Sequence, residues 1–244
     1  MENELQYFMK NIQLTFFQVF LCHRKSPEEF PTSFPKEMIE QRQPFVRMTK
    51  DSVVFQDDSS EKVDAVIFCT GYRYSFPFLS DDIITIKDER VQPIYKHMIH
   101  IDYPNLIFLG IPRQLLYFPH FYEMARFSVL VLEEKIQLPS RKDMQEASEV
   151  DFQSRLLEGN PPSFAHQMGF GDYQFRFNAE IAELGGFEPL PPVIKMIWKD
   201  ILDERYINFL HCKDIIYQIT GRDSYRCMNP KNCKSRVSKA ENVG

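Results

Sequence analysis

One short stretch constrains this chain more than any other. Val63-Asp64-Ala65-Val66-Ile67-Phe68-Cys69-Thr70 is an apolar run that stops in Gly71-Tyr72. A run apolar on both faces has the pattern of a central strand in a parallel sheet, where helices or neighbouring layers cover both sides. In open α/β sheets the carboxyl ends of such strands border the ligand crevice. Glycine at that end permits positive φ and lets a ligand approach backbone with no Cβ in the way, and Thr70 adds a short hydroxyl arm. A plainer reading competes on these residues alone, because many strands end in Thr-Gly simply to turn. Gly71 is also the first glycine of the chain, so no G-x-G-x-x-G phosphate cradle precedes it. The later Gly169-Phe170-Gly171 is only a G-x-G, with Gln174 where the third glycine would fall.

The rest of the sequence divides into a strand-rich front and a helical back. Residues 1–17 read as a helix remnant. Phe16 to Cys22 is aromatic and β-branched and predicts a strand, followed by the basic His23-Arg24-Lys25. Residues 26–44 hold four prolines and read as a loop or linker. Val46-Arg47-Met48 and Ser52-Val53-Val54-Phe55 flank Thr49-Lys50-Asp51 as a hairpin. Leu106 to Gly110 repeats the pattern of a buried strand. Helical period then takes over: Phe121, Met124, Phe127 or Ser128, Val131 and Ile136 share one face before Pro139. Ser140-Arg141-Lys142-Asp143 resembles a capping box. The stretch 158–176 is irregular, a short helix over 178–184 closes at Gly185-Gly186, and Pro191-Pro192 opens another bearing Ile194, Ile197, Trp198, Ile201 and Leu202. A last helix with Phe209, Cys212, Ile216 and Ile219 is predicted to stop at Gly221.

Charge and cysteine usage narrow the partners. A net charge of −5 argues against nucleic acid, whose phosphates call for a basic surface. Arg222, Arg226, Lys231, Lys234, Arg236 and Lys239 form a local exception, read as a solvated terminus with an anionic-membrane contact as the alternative. No stretch reaches the ~18 apolar residues of a membrane span; Ile12 to Cys22 is short and interrupted by Gln13, Thr15 and Gln18. The N-terminus lacks the features of a signal peptide. Cys22, Cys69, Cys212, Cys227 and Cys233 are odd in number and irregularly spaced, which fits a reduced, intracellular protein. His97, His100, His120 and His166 read as surface or core residues rather than ligands, so no metal site is expected.

Asp64-Ala65-Val66-Ile67-Phe68-Cys69-Thr70-Gly71-Tyr72-Arg73-Tyr74-Ser75-Phe76-Pro77-Phe78-Leu79 resembles the D-x-V-[IM]-F-[AC]-T-G-Y-x-[YF]-S-F-P-F-L block of the flavin-containing monooxygenases. The resemblance extends on both sides. Val19 to Arg24 is similar to the strand ending the family's nicotinamide-nucleotide fingerprint, and Val53 to Asp58 to the strand and acidic turn before the block. Asn105 to Gly110, Arg126 and Leu138-Pro139-Ser140 follow the family's order. It implies an α/β fold: a fragment of a flavoprotein with two dinucleotide-binding (Rossmann-like) domains, with a mixed sheet plus carboxy-terminal helices. The implied organisation is 1–62, a remnant of the NADPH-binding domain with linker and hairpin; 63–140, the return to the FAD-binding domain; 141–225, the carboxy-terminal helical part; and 226–244, a basic tail.

The resemblance implies that NADPH reduces FAD, that the flavin reacts with oxygen to give a hydroperoxide, and that a small lipophilic amine or sulfide attacks its distal oxygen, as in xenobiotic metabolism. The cofactor carries that chemistry, so no catalytic side chain is assigned. The cofactor-binding residues carried over are Arg24, matching the strand-end cation that pairs with the ribose 2′-phosphate, and Thr70, Gly71 and Tyr72, which lie between the two nucleotides; an exposed strand-end Arg24 and a core Tyr72 are the plain alternatives. Met124 stands where the family usually has a glutamine against the flavin, and a thioether replaces none of the amide's donors. Without the glycine-rich turns the chain alone is expected to be unstable or inactive, either a truncated gene model or splice product or a natural short protein. The rival reading is a noncatalytic remnant that docks on a full-length homologue; a general Rossmann-type dehydrogenase is disfavoured by the block from Tyr72 to Leu79. The expected location is cytoplasmic, with peripheral attachment to the endoplasmic reticulum membrane as the alternative.

Overall fold

The computed structural model describes residues 18–23, 39–169, 172–207, 212–228 and 235–239. Two compact units emerge, one from residues 1–71 and 196–244, the other from 72–195.

In the first unit, β1 (Val19–Cys22) and β2 (Ile39–Arg42) pair in parallel, Val19 opposite Ile39 and Cys22 opposite Arg42. The second of these strands falls inside the stretch read as a linker, because only residues 26–35 carry its first three prolines and Ile39 is free to join a ladder. β3 (Phe45–Met48), β4 (Ser52–Phe55) and β5 (Ser60–Lys62) form an antiparallel meander. The expected hairpin is present, its turn closed by the Thr49 amide donating to Ser52 O at 2.8 Å. Arg42 ties the two sheets together. Its guanidinium stacks over Phe20 and Phe55 at 5.2 and 4.8 Å and donates to Glu40, Ser59 and Glu61 at 2.6, 3.0 and 3.2 Å. A planar cation that both stacks and forks suits this position better than lysine would.

Two expectations about strands are corrected. Residues 65–70 form no strand: Ile67 and Phe68 are 52% and 66% exposed, and Thr70 and Gly71 are exposed as well. A strand needs a ladder partner, and among the described residues none pairs with this run; only Val63 N–H bonds back, to Asp51 O at 3.0 Å. The last segment is likewise not a helix. Cys212–Asp214 is a single 3-10 turn, and β10 (Ile216–Gly221) pairs antiparallel with β11 (Ser224–Met228), which pairs with β12 (Ser235–Lys239). Ile215, Ile216, Tyr217, Ile219 and Thr220 are β-branched or aromatic, and Gly221-Arg222-Asp223 supplies a turn, so strand propensity prevails over the helical spacing. The stretch read as a basic tail thus contains β12 and the end of β11.

The second unit opens with two hairpins. β6 (Thr85–Lys87) and β7 (Arg90–Gln92) are joined through Asp88 and Glu89, both at positive φ. β8 (Ile94–Tyr95) and β9 (Ile99–His100) are joined through Lys96 and His97, at φ +49° and +52°, with the Met98 amide donating to Tyr95 O. Both turns have the left-handed geometry that matches strand twist. Leu106 to Gly110 makes only a single bridge, Ile107 to Ile99, because β9 is two residues long.

Among the described residues the helices that follow are α1 (Tyr117–Leu132), α2 (Arg141–Leu157), α3 (Tyr173–Gly185) and α4 (Pro192–Ile207), the last running on from the second unit into residues of the first. The predicted caps are in place. Ser140 Oγ accepts from Asp143 N at 3.2 Å, and Gly186 ends α3 at φ +63°. α3 begins five residues earlier than expected because Tyr173, Gln174 and Phe177 are buried. Gln174 also serves α1: its Oε1 accepts from the Leu116 amide at 2.8 Å, satisfying one otherwise unpaired group at that helix start. The main core joins Tyr95, Met98, Ile99, Met124, Phe127, Met168, Phe177 and Ile181, and a smaller cluster joins Ile84, Val91, Ile94, Phe108 and Ile111.

Candidate functional site

The segment carrying the predicted site residues is open. Gly71 takes φ +85°, the left-handed conformation expected of it, and ends the first unit; Tyr72, 80% exposed, starts the second. Thr70 is exposed. Tyr72 is thus not a core aromatic. Arg24 lies outside the described residues. Met124 is fully buried against the main core, so its thioether serves packing. Immediately after Tyr72 the chain turns inward. The Tyr74 hydroxyl donates to Ile111 O, the Arg113 guanidinium lies 3.7 Å from the Tyr74 ring centre, and Arg113 pairs with Glu89 at 3.0 Å. Burial pushes the Tyr74 phenol up to about 12.

A dinucleotide asks for several convergent N–H donors at a helix start, under a turn slim enough for the pyrophosphate. Thr70 to Tyr72 offer one hydroxyl and a stretch of exposed backbone. α1 follows Gln114-Leu115-Leu116, α2 follows Pro139-Ser140 with its cap already in use, and α4 follows Pro191, so none of these three starts from a glycine turn. Gly169 is required for packing, since a Cβ there would stand 2.4 Å from Gln114 O. The described residues therefore do not by themselves fit FAD or NADPH.

Polar chemistry is concentrated elsewhere in the second unit, on a cavity of about 130 Å³ lined by residues including Arg90, His97, Ser148, Asp151, His166 and Phe177. His97 Nδ1 and His166 Nδ1 are 2.9 Å apart, and His166 Nε2 accepts from the Val91 amide at 2.9 Å. Arg155 donates to Asp151 Oδ2 and Gln167 O at 2.9 and 2.6 Å. Burial, then the charge of Arg155 for His97 and that of His97 for His166, holds both imidazoles well below the usual histidine range. His120, with Nδ1 2.8 Å from Asn178 Oδ1, is lowered to about 4 by burial. His100 is structural: it donates from Nε2 to Ile83 O at 2.8 Å and accepts from the Asp102 and Tyr103 amides. His100, His120 and His166 are buried and His97 is partly buried, where the sequence reads all four as surface or core residues; the pairing of His97 with His166 is not legible there, because the two are 69 residues apart. Among the described residues no group of three or more potential ligands could hold a metal ion, and no helix is long and apolar enough to cross a membrane.

The profile of the flavin-binding monooxygenase-like family matches residues 13–229. Flavin-containing monooxygenase FMO GS-OX-like 5 of Arabidopsis thaliana is 37% identical over 126 residues, 51% of this chain and 28% of the relative. FMO GS-OX-like 9 of the same plant is 34% identical over 164 residues, 66% of this chain and 35% of the relative. Among solved structures, S-allyl-L-cysteine S-oxygenase from Allium sativum superposes with a TM-score of 0.69 at 28% identity, over 81% of this chain and 46% of that one. Tmm from Pelagibacter sp. strain HTCC7211 gives 0.69 at 20% identity over 99% and 50%, a likeness of fold. The chain thus spans about a third of those curated relatives and about half of the solved structures. Its mixed sheets and carboxy-terminal helices have the flavin-monooxygenase α/β fold.

Proposed function

Because this chain belongs to the flavin-binding monooxygenase-like family, we propose that it serves an NADPH- and oxygen-dependent monooxygenation of small lipophilic amines or sulfides. The block from Asp64 to Leu79 carries this reading. In it, Thr70, Gly71 and Tyr72 would present an exposed hydroxyl, a backbone without Cβ and an aromatic face to the nucleotides, and Arg24 would meet the ribose 2′-phosphate of NADPH. FAD supplies the oxygen-activating chemistry when bound; these residues position and shield. No G-x-G-x-x-G phosphate cradle occurs in the sequence, so in this reading the chain alone is inactive. The reaction takes place in the cytoplasm, or on the face of the endoplasmic reticulum membrane.

A second reading has its own support. Ile67 and Phe68 of the first unit are 52% and 66% exposed, and Tyr72 and Phe78 of the second 80% and 75%; large exposed apolar side chains of this kind suit an interaction surface on either unit. In this reading the chain is a noncatalytic partner that docks on a full-length homologue.

Equilibrium dialysis with FAD, followed by oxygen uptake with NADPH and a thioether probe, tests the pair. The expected result is no stoichiometric flavin bound by the chain alone. Tight binding with oxygen uptake overturns the inactivity. Copurification of a colourless chain with an intact homologue favours the second reading over the first.

A further inference from the structure

His97 sits in the left-handed region at φ +52°, where non-glycine residues are uncommon. That backbone brings its ring against His166, at 5.2 Å between centres and nearly perpendicular. We propose that the His97–His166 pair is an acid-opened clasp joining the β8–β9 turn to β7, α2 and the segment around His166.

Hydrogen bonding fixes both tautomers. His166 Nε2 accepts from the Val91 amide, so its proton is on Nδ1 and is donated to His97 Nδ1. His97 must then carry its proton on Nε2, facing Asp151 Oδ2 at 3.4 Å. Arg155 Nη2, also 3.4 Å from His97 Nε2, is a neighbouring positive charge rather than a donor. Each ring nitrogen left unprotonated already accepts an N–H. A further proton would set two N–H groups head to head, breaking either the bond between the rings or the bond to β7.

The surroundings bear on that added charge from every side. β7 contributes Arg90, paired with Glu149 of α2 at 2.9 Å. The turn contributes Lys96, paired with Glu180 of α3. α2 contributes Asp151 and Arg155, paired at 2.9 Å. α1 contributes His120, whose ring stands across Phe177 from His97 with centres 5.1 and 5.7 Å from that phenyl. The Tyr74 ring meets His166 edge-on at 5.9 Å. The cations are matched by carboxylates, and Asp151, the anion that faces His97, is shared with Arg155, which weakens its hold on an added positive charge.

The pair therefore favours the closed form above the ordinary histidine pKa of about 6.5, and that preference is lost as pH falls below it, because the open form takes up protons that the closed form refuses. Two such protons raise the opening constant by up to about 100-fold per pH unit. Carboxylates titrate nearer pH 4, which leaves the window from 6.5 to 5 to histidine.

Hydrogen exchange followed by mass spectrometry on the full chain between pH 7.5 and 5, corrected for intrinsic rates, reads this directly. Peptides spanning 90–101 and 162–168 are expected to open together and steeply below pH 6.5, while the β3–β4 hairpin does not. A flat opening constant, or the same slope in that hairpin, overturns the proposal. His166→Gln keeps an acceptor for the Val91 amide and is expected to lower the slope by about tenfold per pH unit. Where that variant does not fold, 15N spectra of the native imidazoles decide: unprotonated His166 Nε2 and His97 Nδ1 at pH 7 support the clasp, and a charged ring or the opposite tautomer refutes it.

Discussion

The two halves of the block from Asp64 to Leu79 have similar compositions and opposite fates. Ile67, Phe68 and Tyr72 lie open to solvent, whereas Tyr74, Phe76 and Leu79 pack on the cluster of Ile84, Val91, Ile94, Phe108 and Ile111, with Phe78 alone among the later aromatics left exposed. The second half finds its partners within some forty residues of chain in the same unit, through the two hairpins and the bridge to Ile99. The first half has the residues of a central strand but, among the described residues, no ladder partner. Apolar composition shows that a segment is fit for burial; it does not supply the surface that buries it. Each such side chain left out forgoes about 1.5–3 kcal/mol, so an open apolar segment of this kind is costly to leave in water.

Truncation on the buried side gives the largest contrast. Phe127, 1% exposed at the centre of the main core, is expected to cost about 3–5 kcal/mol as Phe127→Ala in urea unfolding; a loss below about 1 kcal/mol would mean that this core is not closed. Tyr74→Phe is expected to cost about 1 kcal/mol through its bond to Ile111 O. It also changes the alkaline limb. With the folded phenol raised to about 12 against an unfolded value of about 10, its contribution is present below pH 10 and lost as pH rises from there towards 12. Phenolate absorbance and unfolding midpoints in that range check the sign, and Tyr74→Phe removes that part of the pH dependence. Ser140→Ala, at the cap of α2, is expected to cost about 1 kcal/mol, read as faster amide exchange in the first turn. The smallest effect belongs to the open half. Phe68→Ala is expected to stay within about 0.5 kcal/mol in the isolated chain, and a loss comparable to Phe127→Ala would show that this run is covered after all.

Much of the helical half was legible because its signals are local. Ser140 at its cap, Gly186 at the end of α3 and Pro192 at the start of α4 act within one turn, and the β3–β4 hairpin needed only its three-residue connection. Ile216–Gly221 has helical apolar spacing and is nonetheless a strand, because its β-branched and aromatic content outweighs that spacing. The candidate site was legible as a motif and only partly as geometry. Gly71 takes its left-handed conformation and Tyr72 is exposed, but the chemistry gathered around His97 and His166 rests on a contact that no local pattern announces.

By itself the sequence determined the family, through the block ending at Leu79, and the local conformations that caps, prolines and glycines dictate within a few residues. Tertiary structure alone decided that Val63 to Thr70 is not a strand here, that Met124 faces the core, and which nitrogen of each paired imidazole holds its proton. The reason is range. A cap or turn is satisfied by neighbours in the chain, whereas a β ladder, a buried side chain and a histidine tautomer are settled by groups that only folding brings near.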